Sequence, residues 1–346
     1  MADDEFFYVA ASDGIYRGSI DTDSGKLGTL ALACAVKNPN FVALAPDGKS
    51  LYATCDDFIA CFTVGSNGVL TAQSQMPLPG MGPCHVSVDS SGHDVLVANY
   101  NGGSVGCFRR EADGSLGEET SHHAYVSSGP DKARQTSSHA HSIYPDPEDK
   151  FVYVCDLGGD DVWIYKFDAV QGTLRPSASL LAKVPPGSGP RHLAFHPNGR
   201  FVYIANEMGH SVTAFSRDAA SGALTTIETV STLSPGISAQ GVTTAEIVCH
   251  PSGKWLYVSN RGCETISVFS ISVDGRLDLI QSVPCIAQLP RNFALDPTGR
   301  WLIVAGQKGN QLAVLKINPL TGQLTATDQV AAVKAPMRVL FSRSSR

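Results

Sequence analysis

GPRHLAFHPNGRFVYIANE (residues 189–207), AEIVCHPSGKWLYVSNR (245–261) and LPRNFALDPTGRWLIVAGQ (289–307) are three copies of one pattern, and GPCHVSVDSSGHDVLVANY (82–100) is a looser fourth. A unit recurring at about 50 residues implies a radial or stacked architecture. It also supplies a coordinate system. Residues at equal positions in different copies are expected at equal positions in space, and polar residues that break the template stand out.

In the copy from 189, Arg191–Phe195 is a short apolar run that ends in the turn His196-Pro197-Asn198-Gly199. Pro and Asn-Gly supply the backbone angles such a turn needs. Phe201–Ala205 is a second run, rich in β-branched and aromatic residues. Two alternating runs follow, Ser211–Phe215 and Ala223–Val230. This predicts four short strands and no segment of helical period. The same turn returns at Pro46, Ser90, Pro147, Pro251 and Pro297, giving six units. The two ends complete a seventh. Pro336–Ser342 reads as a first strand, and Phe6–Ser12, Gly14–Arg17 and Lys26–Ala33 as the remainder. The expected fold is all-β: a seven-bladed β-propeller of four antiparallel strands per blade. The N- and C-terminal strands pair in one blade and close the ring. Radial repetition leaves only short sheet edges. Residues 1–346 are expected to form a single domain, with the last few disordered.

The bulk composition narrows the function. The chain has 346 residues, is 43% hydrophobic and carries a net charge of −6. An acidic total argues against nucleic acid or an anionic membrane as partner. No run approaches the roughly 18 apolar residues of a spanning helix. The opening MADDEFFYVAAS has acids and no basic region, so no secretory signal is expected. Nine scattered cysteines without a CxxC pair read as reduced core thiols of a cytoplasmic protein. A monomer is expected, because ring closure removes most edges.

Two rings of departures emerge when the units are aligned on the turn. Six residues before it stand Asn40, Cys84, His141, Arg191, Ala245 and Arg291. Just past the second strand stand Asp56, Tyr100, Leu157, Glu207, Arg261 and Gln307. Charge buried in a channel is costly without a partner or ligand. Arginine offers a planar fork for carboxylate or phosphate. A histidine beside a carboxylate suits proton transfer near neutral pH. The ligand is therefore expected to be small and anionic. Structural readings stand beside this: Glu207 as the ion-pair partner of Arg261, His85 and His192 as packing residues, His196 and His250 as exposed. Asn99, Asp156, Asn206 and Asn260 are read as holding turns. His139 and His141 share one strand face, but no third ligand accompanies them, so no metal or other cofactor is expected. The connection between Phe108 and His139 is abnormally long, and its part from Ser127 to Ser138 is read as structureless, with a lid or rim role.

SSHAHSIYPDPEDKFVYVCDLGGDDVWIYKFD (137–168), with the Pro-Arg-His, Asn-Glu and Ser-Asn-Arg-Gly elements that follow it in order, resembles the lactonase seven-bladed β-propeller family over essentially the whole chain. The resemblance implies a catalytic His141 with Glu207 as acidic partner, and Arg191 and Arg261 as substrate-binding residues, Arg191 also serving catalysis. It adds Arg291, His139 and Arg134 as further substrate contacts. The implied activity is hydrolysis of a small anionic lactone, 6-phosphoglucono-δ-lactone foremost. A carboxy-cis,cis-muconate cyclase, running lactone formation with the same arginines, is the alternative. A non-enzymatic binding scaffold is a third reading, which predicts an apolar loop face and no charged ring.

Overall fold

The computed structural model describes residues 4–342, without the side chains of 177–179. Its strands form seven four-stranded antiparallel sheets, the blades of a β-propeller. The first strands of blades 1 to 6 are Phe41–Leu44, Pro83–Val88, Ala140–Pro145, Pro190–Phe195, Thr243–Cys249 and Pro290–Leu295. In blade 7 the first strand is Arg338–Phe341, paired antiparallel with Asp4–Ala11 through Val9↔Val339 and its neighbours. The expected clasp between the two ends is therefore present. The expectation of disorder falls on residues 343–346, outside those described.

The chain falls into two compact units: Met1–Lys37, His192–Ser216 and Thr226–Arg346; and Asn38–Arg191 with Arg217–Thr225. In both, the second strand of a blade is its most buried, as in Asp94–Asn99 and Phe201–Asn206. The fourth alternates outward, as in Leu70–Pro77 and Leu324–Ala332. Within each unit neighbouring blades pack face to face. In the first unit Tyr257, Val268 and Ile266 of blade 5 meet Phe293, Leu302 and Val304 of blade 6. In the second, Leu96 and Val105 of blade 2 meet Ile143 and Val154 of blade 3. Each such side chain contributes about 1.5–3 kcal/mol by leaving water.

A repeated tie joins consecutive blades. The tyrosine six residues after the turn proline donates its hydroxyl to a turn carbonyl of the next blade. The pairs are Tyr52 to Gly114 at 2.7 Å, Tyr153 to Gly222 at 2.8 Å, Tyr203 to Gly275 at 3.2 Å and Tyr257 to Gly322 at 2.9 Å. All four glycines have left-handed backbone. Phe151, Phe201 and Trp255 lie under the last three so closely that a Cβ would overlap the ring. Only glycine fits there. Blade 6 carries Ile303 instead, and Trp301 Nε1 donates to Thr22 O at 2.8 Å. Blade 2 carries Leu96, and Arg109 bridges instead, from Asp94 at 3.0 Å to Val170 O at 2.9 Å. Half-buried His196 and His250, expected to be exposed, do similar work: their Nε2 atoms lie 2.8 and 3.1 Å from Gly253 O and Gly299 O of the next turn.

Candidate active site

The template position six residues before the turn has a backbone peculiarity. The first strand slips register against the second between Pro83 and His85, Ala140 and Ser142, Thr244 and Ile247, and Pro290 and Asn292. Cys84, His141 and Arg291 are the extra residues of these bulges, and blade 5 accommodates its extra residue at Ala245–Glu246. A bulge interrupts the pleat and re-aims a side chain, which is why bulges gather at functional sites. The template position legible in the sequence is thus, in four blades, a β-bulge.

In the second unit these residues build an aromatic and imidazole cluster. Tyr100, just past the second strand of blade 2, stacks on His139 with ring centres 4.4 Å apart and stands edge-on to His141 at 5.5 Å. His139 Nδ1 lies 2.9 Å from Tyr100 O. A carbonyl only accepts, so Nδ1 carries the proton there. Arg134 Nη2 donates to the Tyr100 hydroxyl at 3.2 Å. Cys84 Sγ donates to His141 O at 3.3 Å. His141 is 6% exposed and Arg191, on the first strand of blade 4, 2%. Tyr100 went without a role in the sequence reading, although it sits on the second ring.

The connection expected to be structureless is an ordered loop in this unit. Ser127 N and Oγ both lie 2.9 Å from Ser138 Oγ, and Ser127 Oγ reaches Asp156 Oδ2 at 2.9 Å. Buried Asp156 also accepts His139 N at 2.7 Å and Gly158 N at 3.1 Å, so it holds more than its own turn. Asp131 Oδ1 caps the turn at Ala133 and Arg134. Gln135 Nε2 anchors the loop on Leu157 O and on Asp160 Oδ1 at 2.8 Å.

In the first unit Glu207 and Arg261 form a buried ion pair, Oε2 to Nη2 at 3.1 Å, and the same nitrogen donates to Thr244 O at 3.2 Å. A buried pair gains little net stability over apolar packing. Arg291, half-buried, is the second residue of the first strand of blade 6.

One residue further along each first strand lies a layer the sequence reading assigned to packing or passed over. His85 does pack, between Phe41 and Tyr144 at 4.2 and 4.5 Å, but its Nδ1 also accepts Ile143 N at 3.4 Å. In the first unit the layer is a polar network around Glu246. His192 Nδ1 lies 3.1 Å from Oε1, Asn292 Nδ2 donates to Oε2, and Arg338 Nη1 approaches Oε2 at 3.3 Å. Glu246 Oε1 also accepts Ile247 N at 3.1 Å, and Asn292 Oδ1 accepts Val339 N at 2.9 Å. Register slips free backbone amides from the ladder, and buried amides need partners. A polar residue directly after a bulge position was the available signal.

Among the described residues no group of three or more His, Cys, Asp or Glu could hold a metal ion. A groove of about 920 Å³ runs along the first strands of blades 5 to 7, lined by Cys249, Asp296, Arg338 and Phe341 among others.

Residues 7–341 match the family model described as lactonase, 7-bladed beta-propeller. The chain belongs to that family. It is 33% identical over 336 residues, 95% of either chain, to the 6-phosphogluconolactonase of Bacillus subtilis (strain 168). It is 35% identical over 321 residues to that of Pectobacterium atrosepticum, covering 91% of this chain and 92% of the relative. The periplasmic gluconolactonase of Pseudomonas aeruginosa superposes with a TM-score of 0.91 at 27% identity, over 98% of this chain and 99% of that one. As a member of the lactonase family, the protein is a seven-bladed β-propeller.

Proposed function

We propose that the protein hydrolyses a small anionic sugar lactone, 6-phosphoglucono-δ-lactone, to 6-phosphogluconate. One observation carries the reading. The template position that holds His141 in blade 3, Arg191 in blade 4 and Arg291 in blade 6 coincides with a bulge in blades 3 and 6, in a chain whose relatives are named 6-phosphogluconolactonase.

First strands of a propeller surround its central channel. On this reading His141, Arg191 and Arg291 face that channel, with Glu207, Arg261, His139 and Arg134 at its mouth. The guanidiniums grip the phosphate and polarise the lactone carbonyl. His141 takes a proton from the water that attacks the carbonyl carbon. The tetrahedral oxyanion is held by guanidinium N–H donors, each worth about 2.7–4 kcal/mol. The ring C–O bond then breaks, and the imidazolium returns the proton to the departing ring oxygen. One water is consumed and an open-chain acid is released. Glu207 fixes Arg261 at 3.1 Å and balances its charge. Positioned proton transfer contributes about 10²–10⁴-fold.

The same proposal takes residues 1–346 as one domain working as a monomer in the cytoplasm, without nucleic acid or membrane partners. All nine cysteines are free. Burial pushes the thiols of Cys55 and Cys107 up to about 12, which makes them poor nucleophiles. No helix among the described residues is long and apolar enough to cross a membrane.

The test is a coupled hydrolysis assay on 6-phosphoglucono-δ-lactone and glucono-δ-lactone. The phosphorylated substrate is expected to give a kcat/KM at least about tenfold higher, the value of one good charge-assisted contact. Equal rates, or turnover only of a carboxymuconate diene, overturn the reading.

A further inference from the structure

The turn between the second and third strands ends in a left-handed residue in blades 2 to 6: Gly103, Asp160, His210, Glu264 and Asn310. Four of these have side chains, and each side chain reaches the segment just before the next blade's first strand. His210 Nε2 meets Val242 O at 2.7 Å, Glu264 Oε2 accepts Leu289 N at 2.6 Å, and Asn310 Oδ1 accepts Ala335 N at 2.9 Å. These are single bonds. Asp160 makes three. Its Oδ2 accepts Gly187 N at 2.7 Å, and its Oδ1 accepts Gly189 N at 2.8 Å and Gln135 Nε2 at 2.8 Å. It is 5% exposed.

The geometry points to Asp160 as a positioning residue of the active site: one carboxylate fixes both the loop that carries Arg134 and the segment that delivers Arg191. Gln135 is the residue after Arg134, and Gly189 stands two before Arg191. Gln135 spans the loop as well, since Asp131 N donates to its Oε1 at 3.2 Å and its own amide donates to Asp131 O at 2.9 Å. A charged acceptor with three N–H donors is about twice as strong per bond as a neutral one. It holds two guanidinium carriers that are 57 residues apart in sequence (191 − 134 = 57) at a fixed separation. A displacement near 1 Å at such a site costs up to about 100-fold in rate. Asp160 touches neither guanidinium in this arrangement, so its effect on the reaction runs through the backbone. The inference rests on the reading that Arg134 and Arg191 bind the anionic lactone.

Asp160→Asn is a clean test, because asparagine tolerates left-handed backbone and keeps the volume while removing the charge and one acceptor oxygen. Two readouts are taken on the full chain. The first is kinetics on both lactones: KM for the phosphorylated substrate should rise about tenfold or more. KM for the unphosphorylated one should move far less, since a general loss of structure would affect both alike. The second needs no substrate: trypsin cleavage at Lys132 and Arg134 should quicken under native conditions. Gln135→Met, which leaves Asp160 and its two glycine amides intact, should show the same faster cleavage with a smaller KM change, and it serves as the variant if Asp160→Asn melts early. Wild-type trypsin resistance in both variants overturns the inference. So does an equal loss on both lactones. If the unaltered protein hydrolyses neither lactone, the functional reading falls, and the cleavage rates alone decide whether Asp160 holds the loop.

Discussion

The tyrosine ties and the bulge ring occupy equivalent template positions on either side of the same turn, yet they behave in opposite ways. Six residues after the turn, four of six blades carry tyrosine bonded to a left-handed glycine carbonyl of the next blade. Six residues before it, no two blades agree except the arginines of blades 4 and 6. Repetition marks what every blade needs, which is attachment to its neighbour. Variation marks what is needed once, which on the proposed function is chemistry. The backbone supports the division. The ties sit in regular ladder, whereas His141 and Arg291 sit where the ladder slips.

Four measurements break or sharpen this contrast. The largest effect is expected in the ring. His141→Asn should lower kcat by about 10²–10⁴-fold with the melting temperature of the parent; turnover within a few-fold of the parent would remove His141 from the chemistry. The reverse pattern is expected at Arg217. Its guanidinium is wholly buried, pairs with Asp146 and with Glu148 at 2.8 Å, and donates to the Tyr153 tie at 3.1 Å. Arg217→Met leaves a buried carboxylate uncompensated and should cost about 3–5 kcal/mol, read by denaturant titration, while kcat of the folded fraction stays put.

Blade 2, which lacks the tyrosine, offers a pH probe. Burial pushes the Asp94 carboxyl up to about 7, and Arg109 at 3.0 Å pulls it only part of the way back. Its ordinary value is 3.8, so the folded chain holds this proton more tightly than the unfolded one. The stabilisation from Asp94 is complete below about pH 4 and is lost as pH rises through about 7. The stability difference between the parent and Asp94→Asn should therefore shift against the parent by on the order of a few kcal/mol between pH 4 and 8. A pH-independent difference would show that Arg109 dominates. The smallest effect is a single tie: Tyr203→Phe should cost about 1 kcal/mol and leave kcat and KM unchanged.

Blade count, strand order and the end-to-end clasp were legible because turn chemistry and strand alternation are local and repeat. The ring residues were legible for a related reason: once the turn fixes the register, His141, Arg191 and Arg291 fall on one template line. What escaped was whatever depends on neighbouring blades meeting. Glu246 looks like an ordinary strand residue until His192, Asn292 and Arg338 arrive from three other blades. His196 and His250 read as solvent-facing because the next turn, which covers them, lies about 50 residues away in sequence. The stretch from Ser127 to Ser138 lacks any period, and its order comes from Asp156 and Asp160, acceptors on the second strand of the blade it leads into and on the turn that follows.

The sheet that joins Arg338–Phe341 to Asp4–Ala11 has a consequence for biosynthesis. Asp4–Cys34 is synthesised well before Arg338–Phe341, so the inner edge of its three-stranded sheet stays unpaired until the fourth strand of that blade is made. An open edge templates pairing with other chains, so that interval is when exchange between copies is expected.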